Sequence, residues 1–243
     1  MKQNNLSCSL NDLLKVERHT KTEDSLWNIY LPAFLEINAN ILFSIDKYFK
    51  DKSFCVCSPS ILVGVLGACE NFDTVFKIKK AEHGYQFLSQ TAQLQLERLL
   101  SFNIDKVASI NKSFRNEPLA NDGRHLKEFT LVELEIANCE LNKLLDVIED
   151  FIKFIADSTL SNDPDLLKRI YNIDIRKKSK QFIGRSYARI TYDEAIKLLQ
   201  GQGTDINWGD DLNRFHEQFI LKEMGEIPTF ITHFPAEIKF FNK

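Results

Sequence analysis

The 243-residue sequence has no excess of positive charge, no long apolar run and few cysteines. Its 34 acidic residues outnumber the 31 lysines and arginines, which gives a formal net charge of −3 at pH 7. A chain without a global basic field lacks the electrostatic signature of an independent nucleic-acid-binding protein. No apolar run reaches the length that a membrane-spanning helix requires, so a membrane protein is not expected.

The cysteines are too few and too scattered for a disulfide or zinc framework. There are five of them, an odd number: Cys8, Cys55, Cys57, Cys69 and Cys139. The first residues, Met-Lys-Gln-Asn-Asn, also lack the apolar segment of a secretory signal. These features predict a cytoplasmic protein with buried, reduced thiols.

Two segments begin like functional motifs but lack a required part. His216 and Glu217 start the zinc-protease pattern, yet Ile220 occupies the position of its second histidine. The Gly-Gln-Gly run at 201–203 is not followed by Lys-Ser or Lys-Thr, so it is interpreted as a turn rather than a phosphate loop. No residue is therefore assigned to a metal.

The spacing of apolar residues predicts an α+β fold, with helices covering an antiparallel sheet. A chain of this length has enough material for one large domain or two small ones. The predicted helices are 34–50, 93–102, 141–155, 192–199 and 211–224, and the predicted strands are 54–58, 74–78, 106–114, 128–137 and 229–233.

The richest stretch runs along two adjacent predicted strands and the polar loop between them. The first strand ends in Phe-Arg-Asn-Glu at 114–117, the loop contains Gly-Arg-His at 123–125, and the return strand contains Glu-Phe at 128–129. Two more acids follow, Glu133 and Glu135. A guanidinium matches phosphate oxygens, an aromatic face can stack on a base, and carboxylates can hold an ammonium group. Together these groups could seat ATP and an amino acid.

This pattern resembles motif 2 of the class II aminoacyl-tRNA synthetases, in the version of the asparaginyl and aspartyl branch. The segment 54–59 resembles motif 1 of that family, in which a strand ends in a proline near the dimer interface. Other segments follow in the family's order: 69–70, 88–94, 189–196, 208–217 and 228–235. The resemblance covers residues 25–243 and implies a catalytic domain there, with residues 1–24 as a polar lead-in.

The helix predicted at 93–102 bears on the choice of branch. Aspartyl enzymes have a lysine in this helix that pairs with the substrate carboxylate. Leu96, followed by Glu97, stands at that position here. The resemblance therefore favours an asparaginyl-type enzyme.

The resemblance implies an ATP site on the motif 2 strands. Arg115 would be the catalytic residue, binding the α-phosphate and the amino-acid carboxylate. Glu117 would contact the adenine side and Phe129 would stack on the base. Arg124 and His125 would reach the outer phosphates. The alternatives are a surface salt bridge for Arg115, core packing for Phe129 and a solvated turn for the loop.

The resemblance also implies a pocket for asparagine or aspartate formed by Glu70, Gln90, Gln93 and Glu133. A carboxylate such as that of Glu70 could neutralise the substrate ammonium, while amide groups read polar atoms without demanding charge. The alternative for each of these residues is a polar side chain that faces solvent.

The end of the sequence, 238–243, resembles the beginning of the last third of the family's catalytic domain. We therefore expect a C-terminally truncated domain without motif 3, and without the acidic ligands that hold Mg²⁺ on ATP. Residues 1–24 are likewise too few for the family's anticodon-binding barrel. Without those groups Arg115, Arg124 and His125 face the triphosphate charge alone.

Three functions remain open from the sequence. The chain is a synthetase-like ligase completed by a partner subunit or a remodelled site, a non-catalytic paralogue that binds ligand or regulates, or a truncated remnant. The motif 1 region would support a homodimer. Contact with tRNA is open as well, because the basic run at 177–180 is either a tRNA contact or solvated surface.

Overall fold

The computed structural model describes residues 21–67, 72–80, 84–117, 125–162, 179 and 182–239. The chain forms two compact units. Unit 1 contains the chain up to residue 139 together with 158–174, and unit 2 contains 140–157 together with 175–243. Helices and sheets are present in both, and the predicted α+β class is confirmed. The prediction of a single domain over 25–243 stays a prediction.

Helices and strands follow one another along the described part of the chain as follows. The helices are α1 (Lys21–Asp51), α2 (Gln93–Leu100), α3 (Leu141–Asn162), α4 (Tyr192–Gly201) and α5 (Arg214–Glu223). The strands are β1 (Cys55–Cys57), β2 (Leu62–Val63), β3 (Lys77–Lys79), β4 (Tyr85–Leu88), β5 (Lys106–Phe114), β6 (Glu128–Ile136), β7 (Ala188–Thr191) and β8 (Thr229–Thr232).

Strands β5 and β6 form the longest pairing of the described sheets. Their antiparallel register runs from Lys106 opposite Ile136 to Phe114 opposite Glu128, which confirms the predicted hairpin. Strand β1 joins the other edge of β5 in parallel, with Cys57 beside Ser109. The sheet is therefore mixed rather than purely antiparallel, because its first strand enters in the same direction as β5.

A second, antiparallel sheet in unit 1 has the order β2-β4-β3. Strand β3 begins later than the predicted strand 74–78, because residues 72–74 form a 3₁₀ turn that buries Thr74. Two backbone bonds connect this sheet region to the end of β5. The N–H of Phe114 donates to the carbonyl of Ser89 at 2.9 Å, and that of Asn116 donates to Thr74 at 2.7 Å.

Helix α2 packs on the first sheet through a small apolar core. Leu96 of α2 and Ala92, the residue just before this helix, are buried against Val107 of β5, with Cys57 of β1 partly buried beside them. Helix α1 begins earlier than the predicted 34–50 and continues through Pro32. A proline is unfavourable inside a helix, so the sequence gives no reason to extend the helix back through Pro32.

Unit 2 is built around the parallel pair β7–β8 and the helices α4 and α5. Strand β7 was not predicted, because its four residues are too few to show a strand periodicity of their own next to the helix that begins at residue 192. Thr191 and Glu194 form a capping box at the start of α4. His216 has a similar role in α5, where its Nδ1 accepts the N–H of Asn213 at 3.2 Å.

The thiols are less buried than predicted. Cys55 is exposed and Cys57 and Cys139 are half-buried, and these three cysteines form no disulfide. The prediction of buried thiols is wrong for these residues: Cys55 and Cys57 lie on a short edge strand, and Cys139 lies just beyond the end of β6. Among the described helices, none is long and apolar enough to cross a bilayer.

Replacing Leu96 by alanine tests the contact between α2 and the sheet. Leu96 is fully buried, so Leu96→Ala should lower the free energy of unfolding by about 2–5 kcal/mol. Leu94→Ala, on the same helix at a position that is 43% exposed, should lower it by less than about 1 kcal/mol. Urea unfolding followed by circular dichroism measures both, and equal effects would contradict this packing.

Candidate functional site

One face of the β5–β6 hairpin carries most of the described candidate residues. Side chains alternate along a strand, and residues opposite each other in an antiparallel pair share a face. Phe129, Glu133 and Glu135 therefore lie on the same face as their partners on β5. Phe129 lies four residues from Glu133, or about 13 Å along the strand. This face is long enough to separate a base-binding end from an amino-acid end.

Arg115 and Phe129 lie together at the loop end of this face. The Arg115 N–H donates to the carbonyl of Lys127 at 3.0 Å, which extends the hairpin by one step beyond β5. The guanidinium carbon of Arg115 is 5.4 Å from the centroid of the Phe129 ring, a cation–π contact. For Phe129 to stack on a base, the Arg115 guanidinium must lie on the opposite face of the ring from the base, or move off the ring. A phosphate group would attract it away.

The remaining predicted ATP residues follow Arg115 or precede β6. The N–H of Glu117 donates to the carbonyl of Arg115 at 2.8 Å, and its side chain is half-buried. His125 is exposed at the end of the loop. Arg124 lies outside the described residues.

Glu133 holds the start of helix α2. Its Oε2 accepts the N–H of Ala92 at 2.8 Å, and its Oε1 accepts the hydroxyl of Thr91. The Thr91 hydroxyl oxygen in turn accepts the N–H of Gln93 at 3.1 Å. A carboxylate is favourable at a helix N-terminus, where backbone N–H groups lack partners. The predicted pocket residue therefore also positions the helix that carries Gln93.

The two predicted glutamines have different surroundings. Gln90 is 1% exposed, and its Nε2 donates to Thr74 Oγ1 at 3.1 Å. Gln93 is half-buried, and its Nε2 donates to Glu97 Oε1 at 2.7 Å. Glu70 lies outside the described residues.

Glu135 belongs to the same face but was not assigned to the pocket from the sequence. Burial raises the pKa of its carboxyl to about 6, and the nearby charges of Glu97 and Glu133 add to the effect. Three carboxylates thus lie close enough to influence one another, and one of them, Glu133, contacts the start of α2. Their repulsion makes this end of the face favourable for a cationic group such as an ammonium.

A buried polar row on β5 was also missed. Ser109 donates to Asn111 Oδ1 at 2.7 Å, and Asn111 Nδ2 donates to Ser113 at 3.3 Å. All three side chains are buried on the face that carries Phe129 and Glu133. Their period of two was visible in the sequence, but polar residues at this spacing are usually read as the solvent side of a strand.

The comparisons with known proteins identify a family. The profile described as "tRNA synthetases class II (D, K and N)" matches residues 25–243. An asparagine–tRNA ligase of Thermococcus kodakarensis is 34% identical over 212 residues, which cover 86% of this chain and 47% of the relative. A probable mitochondrial asparagine–tRNA ligase of Dictyostelium discoideum is 30% identical over 220 residues and is covered to the same extent.

A solved structure agrees with these relatives. Asparaginyl-tRNA synthetase from Pyrococcus horikoshii, complexed with asparaginyl-adenylate, superposes with a TM-score of 0.74 at 32% identity. The match covers 85% of this chain and 46% of that structure. The chain thus spans about half the length of the relatives that it matches.

Glu133→Gln tests the link between β6 and α2. Glutamine keeps one acceptor oxygen, but its amide NH₂ group replaces the other. That NH₂ group would face either the Thr91 hydroxyl or the Ala92 N–H, both of which now donate to the carboxylate, so the free energy of unfolding should fall by about 1–2 kcal/mol. Glu128→Gln is the matched control on the same strand. Its exposed carboxylate is 3.4 Å from Lys112 Nζ, and its loss should cost less than about 0.5 kcal/mol. Urea unfolding at neutral pH measures both, and equal losses would argue against the link.

The raised pKa of Glu135 predicts a pH dependence of stability. The folded state holds a proton that the unfolded state releases between about pH 4.5 and 6, so stability should fall as the pH rises through that window. Screening of this half-exposed group limits the effect to about 1 kcal/mol. Glu135→Gln should remove this part of the dependence and stabilise the protein at pH 7. Urea midpoints measured from about pH 4.5 to 7.5 check the prediction, and a parallel pH dependence in both proteins would contradict it.

Proposed function

The chain belongs to the class II tRNA synthetases of the D, K and N group, and we propose that it binds ATP and asparagine for the formation of asparaginyl adenylate. The observation that carries this proposal is the shared face of β5 and β6. Arg115 and Phe129 lie at one end of it, and Glu133 and Glu135 lie at the other. The distance between these ends leaves room for a ribose and a phosphate.

Arg115 has the central chemical role in this proposal. In adenylation a carboxylate oxygen of the amino acid attacks the α-phosphorus of ATP, a C(O)–O–P bond forms, and pyrophosphate leaves as the bond from the α-phosphorus to the bridging oxygen breaks. Negative charge builds up on the α-phosphoryl oxygens during this step. A fixed guanidinium beside them stabilises that charge. The adenine would then stack on the Phe129 ring and contact Glu117. Arg124 and His125 would bind the outer phosphates.

The acidic end of the face supports asparagine rather than aspartate as the substrate. Glu97, Glu133 and Glu135 would repel a second carboxylate, whereas a neutral carboxamide carries no such cost. Leu96 is fully buried against the sheet and offers the site no cation. The α-ammonium of the substrate would be held by these carboxylates together with Glu70, and the amides of Gln90 and Gln93 would contact its polar side-chain atoms.

We further propose that activity needs groups beyond this span of the family. The chain covers about half the length of its relatives, so the rest of the catalytic domain would come from a partner subunit or from a longer form of this chain. Within the described residues, no cluster of three or more His, Cys, Asp or Glu side chains is placed to hold a metal ion. Mg²⁺ bound with ATP therefore has no assigned ligand here.

The homodimer remains part of this proposal. Helix α1 exposes the apolar side chains of Leu35 and Phe43, at 58% and 74%, and β1 exposes Val56 at 46%. Large exposed apolar residues on neighbouring elements are typical of protein–protein interfaces. A role for tRNA and a cytoplasmic location rest on the sequence alone.

Ligand binding tests the proposal directly. Titration calorimetry with ATP and with a non-hydrolysable asparaginyl-adenylate analogue should detect binding to the purified chain. Arg115→Ala should weaken the analogue roughly 10- to 100-fold, because it removes a charge-assisted contact. Arg98→Ala, at an exposed position on α2, is the control and should bind like the unaltered chain.

The outcomes separate the alternatives. Binding that Arg115→Ala weakens, together with ATP–pyrophosphate exchange that depends on asparagine once a completing partner is added, would support the ligase. Binding without exchange under any condition would favour a ligand-binding or regulatory paralogue. The proposal fails if neither ligand binds, or if Arg115→Ala and Arg98→Ala behave alike.

A further inference from the structure

A second surface of unit 1 carries alternating lysines and aromatic rings. It is one face of the antiparallel sheet β2-β4-β3. The register places Lys77 opposite Phe87 and Lys79 opposite Tyr85, so these four side chains share that face. Val63 of β2 is the neighbour of Phe87 on the same side. We call this set the lysine–aromatic face.

The lysine–aromatic face is open to solvent. Lys77 and Lys79 are exposed, the Tyr85 ring is 55% exposed, and Phe87 is half-buried. Neither lysine has an ion-pair partner among the described residues. The strands β2, β3 and β4 contain no acidic residue. Two ammonium groups therefore stand on this face without local neutralisation by its own strands.

The spacing of these groups matches the needs of one class of ligand. Lys77 and Lys79 are about 7 Å apart along the strand, and the two rings lie about 5 Å across from them on β4. Proteins that hold single-stranded nucleic acid combine cations that follow the backbone with rings on which bases stack. An acidic peptide would use the lysines alone. An anionic membrane could use both lysines and rings, but it does not require them in a fixed cross-strand register, whereas a chain of alternating phosphates and bases does.

We propose that the lysine–aromatic face binds single-stranded nucleic acid, with Lys77 and Lys79 on successive phosphates and Tyr85 stacked on a base. The chain as a whole is acidic, with a net charge of −3, so the attraction is local rather than a property of the whole surface. Binding here needs neither ATP nor asparagine. It therefore stands or falls separately from the adenylate site.

Fluorescence anisotropy with a labelled oligouridine of about 20 nucleotides tests the proposal, in buffers from about 50 to 200 mM salt and without ATP. The double variant K77Q/K79Q should weaken binding and reduce the slope of log affinity against log salt by about 1.4, because two phosphate contacts are lost. Tyr85→Ala should weaken binding about 5- to 100-fold and leave that slope unchanged. Circular dichroism and urea unfolding check that each variant is folded.

The double variant K197Q/K222Q is the matched control, since it removes the same charge from exposed positions in unit 2. It should retain the salt slope of the unaltered chain. Three results would overturn the proposal: no binding of oligouridine, equal effects of the two lysine pairs, or an unchanged affinity in Tyr85→Ala. Stronger binding to phosphatidylserine vesicles than to oligouridine would likewise replace nucleic acid with a lipid surface.

Discussion

The antiparallel pairing of β5 with β6 is the constraint on which the candidate site depends. Its register places Phe129, Glu133 and Glu135 on one face and leaves Arg115 just beyond the end of β5. A slip of one residue would move all of these side chains to the opposite face. The backbone bonds from Phe114 to Ser89 and from Asn116 to Thr74 hold the end of β5 at a fixed position in unit 1. The arrangement of the site thus follows from main-chain pairing before any side-chain contact is considered.

Glu133 connects this strand geometry to helix α2. The same carboxylate that lies on the site face accepts bonds from Thr91 and Ala92, and so fixes where Gln93 begins the helix. Helix α2 is also held by Leu96, which packs in the apolar core with Val107 of β5. Burial raises the pKa of Glu135, and the neighbouring charges of Glu97 and Glu133 repel its carboxylate and raise it further. Glu133 thus supports the fold at a place where several carboxylates raise the local negative charge. Such perturbed carboxylates are common at binding sites.

Much of this could be predicted from the sequence. The β5–β6 hairpin, the helices after it and the family were all recognisable, because long periodic segments and ordered motifs are strong signals. The sequence could not show that both carboxylate oxygens of Glu133 accept hydrogen bonds from residues of the same chain, because the contact with Thr91 joins residues 42 positions apart. It also did not reveal the buried row Ser109, Asn111 and Ser113, since alternating polar residues usually face water. Strand β7 was not predicted, because four residues are too few to show a strand periodicity beside a strongly periodic helix.

The central claim is that the β5–β6 face and the start of α2 form the binding site of an aminoacyl adenylate. Hydrogen–deuterium exchange with and without an asparaginyl-adenylate analogue tests it most directly, because amide protection reports the site at peptide resolution. The account predicts that the analogue slows exchange in peptides covering 89–96, 113–117 and 125–136, and leaves α4 and α5 unchanged. Unchanged exchange in those three segments, or protection confined to unit 2, would contradict it.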